Sequence, residues 1–246
     1  MAGMVRRAHI AWLRRRARRS RPLELPDGTV AIIAPHPDDE TIGCGGLIKR
    51  LTAAGRMPHI IILTGGEASH AACCATAADA IIDARSKLTD RSAAILGVSP
   101  DHIHRLRFPD GRVSAADSEA ERLRQLLQAL SPSAVLVPHS GEGWNDHVAA
   151  GPMVRAIAPA HTCVVEYCVW MWYYNVWRGL DWQAARSLRL TPAEMAAKQA
   201  AVDAYTLPAA PCGTPWSGNL PTQFLAAHRS PVELYFMPAM PHVPEQ

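Results

Sequence analysis

The sequence lacks any long apolar segment. The longest candidate, "CVVEYCVWMWYY" at residues 163–174, is interrupted by Glu166 and falls short of the roughly 18 residues that a membrane-spanning helix needs. The chain has 246 residues, of which 48% are hydrophobic, so it can bury the core of one large domain. These features argue against a helical membrane span and predict a soluble or peripheral protein.

Cysteine motifs are also lacking. Six cysteines are present, but none forms a CxxC pair and their spacings match no zinc-finger pattern. We therefore expect a cytoplasmic protein in which most cysteines are buried or inert thiols. Adjacent Cys73 and Cys74 fit a redox or metal site, but small buried residues of an Ala-rich segment are the favoured interpretation.

Acidic residues are missing from the first 21 positions, which carry eight arginines. The whole chain has a formal net charge of +3, and subtracting these eight charges leaves −5 for the remainder. The segment has no apolar core of about 7 to 15 residues, so we expect no cleaved secretory signal. We define residues 1–25 as a basic N-terminal arm and residues 26–246 as a single domain.

Two interpretations of the arm are open. Its arginines, with Ile10, Trp12 and Leu13 as apolar anchors, suit peripheral docking on an anionic surface such as the inner membrane. The favoured alternative is a solvated extension or a helix packed on the domain, because charge runs are commonly solvated. No nucleic-acid partner is expected, and the oligomeric state is not predicted.

Apolar runs alternate with helical segments along the chain. The run "TVAIIAPH" at residues 29–36 is nearly uniformly apolar, as expected for a strand that is buried on both faces. Such an alternation is typical of an α/β protein with a parallel sheet covered on both sides. The predicted strands are 29–36, 59–66, 103–108, 134–140, 162–174 and 232–238, and the predicted helices are 43–54, 76–97, 116–130, 148–158 and 191–204.

Two polar clusters follow predicted strands. The first comprises residues 36–40, and the second is "GEGWNDHVAAG" at residues 141–151. Because parallel sheets place their sites beyond the carboxyl ends of the strands, we expect these clusters to meet at one edge. Residues 207–232, rich in Pro, Gly and Ser, are predicted to form a lid or specificity loop.

The acidic segment "PHPDDE" raises a chemical question, since three consecutive carboxylates repel one another unless a cation or proton compensates them. His36 and Asp39 can point at one cation, and imidazole with carboxylate is an ordinary zinc shell. A catalytic zinc needs a third protein ligand, for which His147 is the best-placed candidate. Asp38 is then available as a general base, and Glu40 as a backbone anchor.

The order of several motifs carries a family resemblance. They are "PHPDDE" (35–40), "LTGGE" (63–67), "ILGV" (95–98), "FPDG" (108–111) and "DHVAAG" (146–151). In this order they resemble the LmbE-like, or PIG-L, superfamily of metal-dependent N-deacetylases. The resemblance covers residues 28–160.

This resemblance implies a Rossmann-like three-layer α/β fold with a mostly parallel central sheet. It also implies a zinc ion, replaceable by Fe²⁺ or Co²⁺, that is held by His36, Asp39 and His147. Asp38 would activate the water that attacks an acetamide carbonyl.

Two further positions match family residues that grip sugar hydroxyls, namely Arg85 and Asp110. Each has a simpler interpretation. Arg85 fits a surface residue of a helix, and Asp110 with Gly111 fits an ordinary turn.

One position departs from the family pattern. Relatives commonly carry a histidine three residues before the last metal ligand, where this chain has Trp144. Tryptophan donates no titratable proton, so another group must protonate the leaving amine. Asp38 can return the proton that it took, and the alternatives are His139, Glu142 and His228.

Asp146 and Trp144 complete the predicted site. We place Asp146 in the catalytic set, most simply as a residue that orients a ligand or a catalytic group, and Trp144 among the substrate contacts. Two interpretations are open for an aromatic run, which fits a platform for a sugar or acyl chain or, as favoured, strand and core packing: Trp170, Trp172, Tyr173, Tyr174 and Trp177. Trp172 and Trp177 are the two residues to test for ligand contact. Four other histidines are interpreted as scattered residues at element edges: His59, His70, His102 and His104.

We predict a zinc-dependent hydrolase that removes an acetyl group from an N-acetylated amino sugar of the N-acetylglucosamine type, carried on a glycan, lipid or natural product. The first alternative is an amidase for another amide, such as a sugar–thiol conjugate. The second is a non-enzymatic Rossmann-like module that binds metal or nucleotide. It is disfavoured because residues 41–46 contain neither G-x-G-x-x-G nor a P-loop lysine.

Overall fold

Eight strands form one sheet in the computed structural model, which describes residues 2–71, 73–174 and 180–237. The strands are β1 (Arg21–Pro22), β2 (Val30–Ala34), β3 (His59–Ile62), β4 (Ile103–Arg105), β5 (Ala134–Pro138), β6 (Cys163–Tyr167), β7 (Ala185–Arg189) and β8 (Val232–Phe236). They lie side by side in the order β1-β7-β8-β6-β5-β2-β3-β4. The five strands from β6 to β4 are parallel, whereas β8 runs antiparallel to both β6 and β7. The predicted fold class, α/β with a mostly parallel sheet, is confirmed.

Helices cover both faces of this sheet. Those in the described residues are α1 (Ala2–Ala17), α2 (Asp39–Ala53), α3 (Ala78–Leu96), α4 (Ser118–Leu130), α5 (Asn145–Ile157), α6 (Pro192–Thr206) and α7 (Thr222–His228). Side chains alternate along β2, so that Ile32 packs in a cluster with Ile48 of α2, and Ile33 packs in another with Leu127 of α4. The result is three layers, with the sheet in the middle.

The strand predicted at 162–174 is wrong beyond Tyr167, where β6 ends. The backbone then turns through a short 3-10 helix at Trp170–Trp172. The carboxylate of Glu142 accepts hydrogen bonds from the backbone N–H groups of residues 169–171. A buried side chain therefore takes the donors that a continuing strand would have offered to its neighbours.

The two-residue strand β1 has no counterpart in the sequence predictions, and neither have strand β7 and helix α7. Strand β7, with the sequence "ARSLR", lacks an apolar run and carries arginines in its second and last positions. Helix α7 has only seven residues and lies inside the segment predicted as a lid. All three are too short or too polar for a periodic pattern to indicate them.

Helix α1, inside the range predicted as an arm, packs against the C-terminal part of the domain. Ile10 and Leu13 are buried in a cluster that includes Phe236. The Arg6 guanidinium donates a hydrogen bond to the Tyr173 hydroxyl at 2.9 Å. Strand β1, in the same range, pairs with β7. None of the helices in the described part of the chain has the length and apolar character needed to cross a membrane.

The prediction of buried cysteines holds for half of them. Cys73 and Cys212 are exposed and Cys74 is half-buried, whereas the buried ones are Cys44, Cys163 and Cys168. The favoured interpretation of Cys73 and Cys74 as buried small residues is therefore wrong. Residues 73–77 form an irregular connection that precedes α3 rather than part of a packed element.

Candidate metal centre and active-site cavity

The polar residues that follow β2 and β5 meet at one edge of the sheet. After β2 the chain turns through residues 35–38 into α2, whose first residue is Asp39. After β5 it leads into α5, whose first turn carries Asp146 and His147. Helix N-termini favour negative charge, so both helices stabilise carboxylates at this edge.

Three donor atoms form a close triangle. Asp39 Oδ2 lies 3.1 Å from His36 Nδ1 and 3.1 Å from His147 Nε2, and these two imidazole nitrogens are 3.3 Å apart. A tetrahedral zinc ion with ligand distances of about 2.0–2.1 Å holds its ligand atoms about 3.3–3.4 Å apart. Histidine and carboxylate are also the donors of many catalytic zinc sites. The triangle therefore fits a divalent cation of this class.

Two residues of the triangle are buried, which affects the charge of its carboxylate. His147 is fully buried and Asp39 is 2% exposed. Burial by itself opposes the charged form of Asp39, but the adjacent His147 and His36 lower its pKa well below the ordinary range. Asp39 is therefore held as a carboxylate, the form that binds a cation.

The second ring nitrogen of His36 faces two other carboxylates. Nε2 lies 3.1 Å from Asp146 Oδ2 and 3.1 Å from Asp110 Oδ1. A proton on Nε2 leaves the lone pair of Nδ1 directed into the triangle. Outer carboxylates commonly fix the tautomer of a metal-binding histidine in this way.

Asp146 is held by the turn that contains the "FPDG" motif. Its Oδ2 accepts the N–H of Gly111 at 2.7 Å, and its Oδ1 accepts the N–H of Val113 at 2.9 Å. His36, Asp110 and Asp146 also lie close enough together to form a second possible metal-binding set. Backbone N–H groups occupy both oxygens of Asp146, whereas in the described part of the chain only Oδ2 of Asp39 accepts one, from His36 at 2.9 Å. The triangle also contains two imidazole donors instead of one, so we favour it as the cation site.

Asp38 lies against the buried side chain of Arg85. Arg85 Nη2 donates to Asp38 Oδ2 at 3.2 Å, and the arginine side chain is only 4% exposed, which rules out the alternative of a surface arginine. Asp38 has a φ of 123°, a conformation that residues other than glycine rarely adopt. Burial raises the pKa of Asp38, and the charge of Arg85 opposes this shift. The backbone and the ion pair together fix the position of the carboxylate.

Neighbouring residues hold Asp38 and Arg85 in place. Glu40 accepts the N–H of Asp38 at 3.1 Å and the hydroxyl of Tyr205 at 2.7 Å, which confirms its predicted role as a backbone anchor. Gly66 has a φ of 70°, and a Cβ there would lie 2.1 Å from Arg85 Nη1. Only glycine combines this conformation with room for the arginine.

A cavity of about 430 Å³ opens beside the triangle, a size suited to a small organic ligand. The structure brings the predicted site residues together around it. All of them except His147, which is fully buried, line the cavity: His36, Asp38, Asp39, Arg85, Asp110, Trp144 and Asp146. Residues 217–220, from the predicted lid, line it as well.

Aromatic side chains form another part of the cavity wall. Trp170 stacks on Phe224 with ring centroids 4.2 Å apart, and its ring lies 5.6 Å from that of Trp144. Trp170 lies in the aromatic run whose alternative interpretation is a ligand platform, but strand packing is the favoured interpretation, and Trp172 and Trp177 are the residues singled out for ligand contact instead. Trp172 is 3% exposed and lies outside the cavity lining, and Trp177 falls outside the described residues.

The three alternative proton donors lie away from the cavity. His139 accepts a backbone N–H at 2.8 Å, and His228 contacts a backbone carbonyl oxygen at 2.9 Å. Glu142 is occupied by the turn at 169–171 and faces His147 Nδ1 at 3.5 Å. Among the described residues that line the cavity, His36 is the only histidine. The place of the missing family histidine is therefore not filled by another.

Sequence comparison provides an independent view of the same region. Residues 31–158, more than half of the chain, match the protein family PIG-L, described as GlcNAc-PI de-N-acetylase. The chain belongs to the PIG-L family. The matched residues contain every predicted site residue.

Curated proteins similar to this PIG-L chain are named as deacetylases. The diacetylchitobiose deacetylase of Thermococcus kodakarensis is 34% identical over 125 residues, which is 50% of this chain and 46% of that protein. The 1D-myo-inositol 2-acetamido-2-deoxy-alpha-D-glucopyranoside deacetylase of Corynebacterium diphtheriae is 26% identical over 145 residues, 50% of each chain. The chain thus spans about half the length of the curated relatives that it matches.

Solved structures show that the shared fold extends beyond the matched segment. A conserved protein from Thermus thermophilus superimposes with a TM-score of 0.64 at 23% sequence identity. The alignment covers 88% of this chain and 98% of the other. The fold shared with this structure therefore includes much of the C-terminal region, for which the sequence offers no recognisable motif.

Proposed function

We propose that this PIG-L protein is a metal-dependent N-deacetylase for an N-acetylated amino sugar of the N-acetylglucosamine type. The observation that carries the proposal is the triangle of His36, Asp39 and His147 beside a cavity lined by both polar and aromatic side chains. The names of the two curated relatives, which refer to diacetylchitobiose and to an acetamido-glucopyranoside, support this substrate class.

The cation would be held by His36 Nδ1, Asp39 Oδ2 and His147 Nε2. When bound, it would polarise the acetamide carbonyl and lower the pKa of the attacking water. We favour zinc, and Fe²⁺ or Co²⁺ accept the same donors.

Asp38 is the proposed proton carrier. Of the four carboxylates that line the cavity, Asp39 belongs to the triangle, while Asp110 and Asp146 accept backbone N–H groups. Asp38 faces Arg85 and the cavity, so it is the one positioned to take a proton from water. It then returns this proton to the leaving amine, because Trp144 has no titratable proton to offer.

The remaining residues position the reacting groups and the sugar. Asp146 orients His36, and Arg85 orients Asp38, so we assign both to positioning rather than to proton transfer. Asp110, at the cavity wall, is proposed to bind a sugar hydroxyl. Trp144 offers an aromatic face on which the apolar face of a sugar ring can stack.

A second candidate is an amidase for a different amide, such as a sugar conjugate with a larger acyl group. Trp144, which is 47% exposed at the cavity, favours it because it stands where relatives carry a histidine. In either case we propose that the segment 207–232 sets specificity, since residues 217–220 line the cavity.

The test is metal content by elemental analysis, paired with acetate release from a panel of N-acetylglucosamine derivatives. The proteins compared are the wild type, Asp38→Asn and the exposed control Asp27→Asn. Asparagine has nearly the same size and shape as aspartate, so the variant loses the base while the side chain keeps its volume at this backbone position. We expect equal metal content in all three and acetate release from the wild type and the control only.

Two results would contradict the proposal: no metal in wild-type protein purified without chelator, or undiminished acetate release by Asp38→Asn. Metal without acetate release from any member of the panel would favour the amidase. An amide panel with larger acyl groups would then identify the substrate class.

A further inference from the structure

A second group of metal-binding side chains lies outside the triangle. His70, Cys73, Cys74 and Cys212 each offer a donor atom, and these four atoms lie within 4.8 Å of one another. Three of the residues belong to the segment between β3 and α3, and Cys212 comes from the segment between α6 and α7. Because Cys212 is far from the other three residues in sequence, no short spacing motif indicates this set.

The geometry matches a small tetrahedral site. Cys73 Sγ and Cys74 Sγ are 3.6 Å apart. With zinc–sulfur distances of about 2.3 Å, two thiolates on a tetrahedral zinc ion are about 3.8 Å apart. Three thiolates with one imidazole form a closed shell of the kind found in structural zinc sites, which leave no position for water or substrate.

His70 supplies a second, independent observation. Its side chain is buried, with the residue 1% exposed, and its Nδ1 contacts Ser69 Oγ at 3.1 Å. Its Nε2 is buried and has no hydrogen-bond partner among the described residues. An unpartnered buried nitrogen costs free energy, whereas a cation bound to its lone pair would remove that cost.

Cys212 is held close to these residues by a local turn. It lies in a narrow loop closed by a bridge between Ala209 and Pro215 and by a hydrogen bond from the Ala210 N–H to the Thr214 carbonyl at 2.8 Å. This turn brings its thiol to the other three donors. Thr76 Oγ1, 3.1 Å from Cys74 Sγ, adds a hydrogen-bonding group beside the thiols.

We infer that His70, Cys73, Cys74 and Cys212 bind a structural zinc ion that is distinct from the catalytic cation. Each thiol loses its proton to solvent when it binds, and no electron transfer is involved. A disulfide between any two of the cysteines would leave His70 Nε2 without a partner. Soft thiolate donors select zinc over magnesium or calcium.

The proposed ion would hold two parts of the cavity wall together. Ala68 and Ser69 line the cavity directly before His70, and Ser217 and Gly218 line it shortly after Cys212. An ion bound by both His70 and Cys212 would fix the distance between these segments. The structural site would therefore support the cavity without touching the reacting atoms.

Cobalt substitution separates the two sites by spectroscopy, because cobalt bound to thiolate has a strong ligand-to-metal absorption in the near ultraviolet. Cobalt bound only by histidine and aspartate has no such band. Four metal-depleted proteins are each titrated with Co²⁺: the wild type, Cys212→Ser, His36→Ala and the control Cys163→Ala. We expect the band in the wild type, His36→Ala and Cys163→Ala, and its loss in Cys212→Ser.

A second measurement covers the case in which Cys212→Ser folds poorly. In the His36→Ala background, which removes the triangle, we expect a chelator to lower the Tm and to speed proteolysis of the segment 207–221. The additional change Cys73→Ser, at an exposed position, should abolish both effects of the chelator.

A wild type without the thiolate band, in protein that still binds cobalt through His36, would overturn the inference. An intact mass two hydrogens below that of the reduced chain would overturn it as well, since it would reveal a disulfide. Persistence of the band in both Cys212→Ser and Cys73→Ser would exclude these residues as ligands.

Discussion

Two groups of histidines lie at opposite ends of the parallel strands. His36 and His147 follow the carboxyl ends of β2 and β5, where each faces carboxylates. His59 and His104 lie where β3 and β4 begin, and the rings of His59 and His102 stack with centroids 4.2 Å apart. The expectation that the latter are scattered is wrong, because adjacent parallel strands and the turn before β4 bring them together.

Neighbouring groups give these histidines opposite preferences for a positive charge. Burial by itself lowers the pKa of His147, but Asp39 and Glu142 overcome this and raise it to about 9. Burial and repulsion from His102 and His104 instead lower the pKa of His59 to about 4. A histidine surrounded by carboxylates attracts a cation or a proton, whereas a histidine surrounded by histidines stays neutral.

The largest expected effect comes from removing the carboxylate of Asp39, which lies between His36 and His147. Asp39→Asn leaves two imidazoles facing each other without the anion between them. We expect the metal of the triangle to be lost and acetate release to fall to background, measured by elemental analysis and by acetate assay. Asp27→Asn serves as the control, and an Asp39→Asn protein with wild-type metal content and rate would show that the triangle is not the cation site.

The next effect tests the chemistry while leaving the triangle intact. For Asp38→Asn we expect kcat to fall by about 10²–10⁴-fold, the range typical of a lost general acid–base group, with metal content unchanged. Steady-state kinetics on the best substrate of the panel measures this. A change confined to KM would assign Asp38 to binding instead.

A smaller effect is expected from the carboxylate that orients His36. Asp146→Asn removes the charge that faces His36 Nε2 and leaves one acceptor oxygen for two backbone N–H groups. We expect metal affinity to fall by about 10–100-fold, as for other residues that orient a ligand. Competition with a chromogenic chelator measures it, and an affinity equal to that of the wild type would refute the positioning role.

The smallest effect concerns the stacked histidines. Between about pH 4 and 6.5 the unfolded chain binds more protons at His59 than the folded chain does. The contribution of His59 to the free energy of unfolding is therefore fully present above pH 6.5 and is lost as the pH falls to about 4. We expect His59→Gln to lose fewer degrees of Tm than the wild type between about pH 7 and pH 5. Thermal melts followed by circular dichroism give the values. His161→Gln, at an exposed histidine, is the control, and equal losses in all three proteins would speak against the lowered pKa.

Local sequence patterns predict the parallel half of the sheet well. Strands β2, β3 and β5 are short and almost entirely apolar, and the helices between them carry clear periodicity, so both the fold class and the family are confirmed. The antiparallel side was harder to predict. Strand β7 contains two arginines, and its pairing with β8 depends on contacts that are remote in sequence.

In the site as well, residues that are close in sequence could be predicted to act together, whereas contacts between remote segments could not. His36, Asp38 and Asp39 are nearly adjacent in sequence, so their joint chemistry is visible in one segment. Trp170 lies at the cavity in a turn whose backbone N–H groups are bound by Glu142, a contact that is remote in sequence. Cys212 and Cys73 lie close together because two loops meet in the fold, and no local sequence pattern predicts that proximity.

Glu142 has a consequence for how this protein can change in evolution. Its carboxylate holds the turn that carries Trp170 and also faces the ring of His147, so the aromatic wall and the metal ligand share one buried support. A change that reshapes this wall would therefore also disturb the position of a ligand. Adaptation to a new substrate should be less constrained at Trp144 and at residues 217–220, which line the cavity and, among the described residues, make no hydrogen bond to the Glu142 carboxylate.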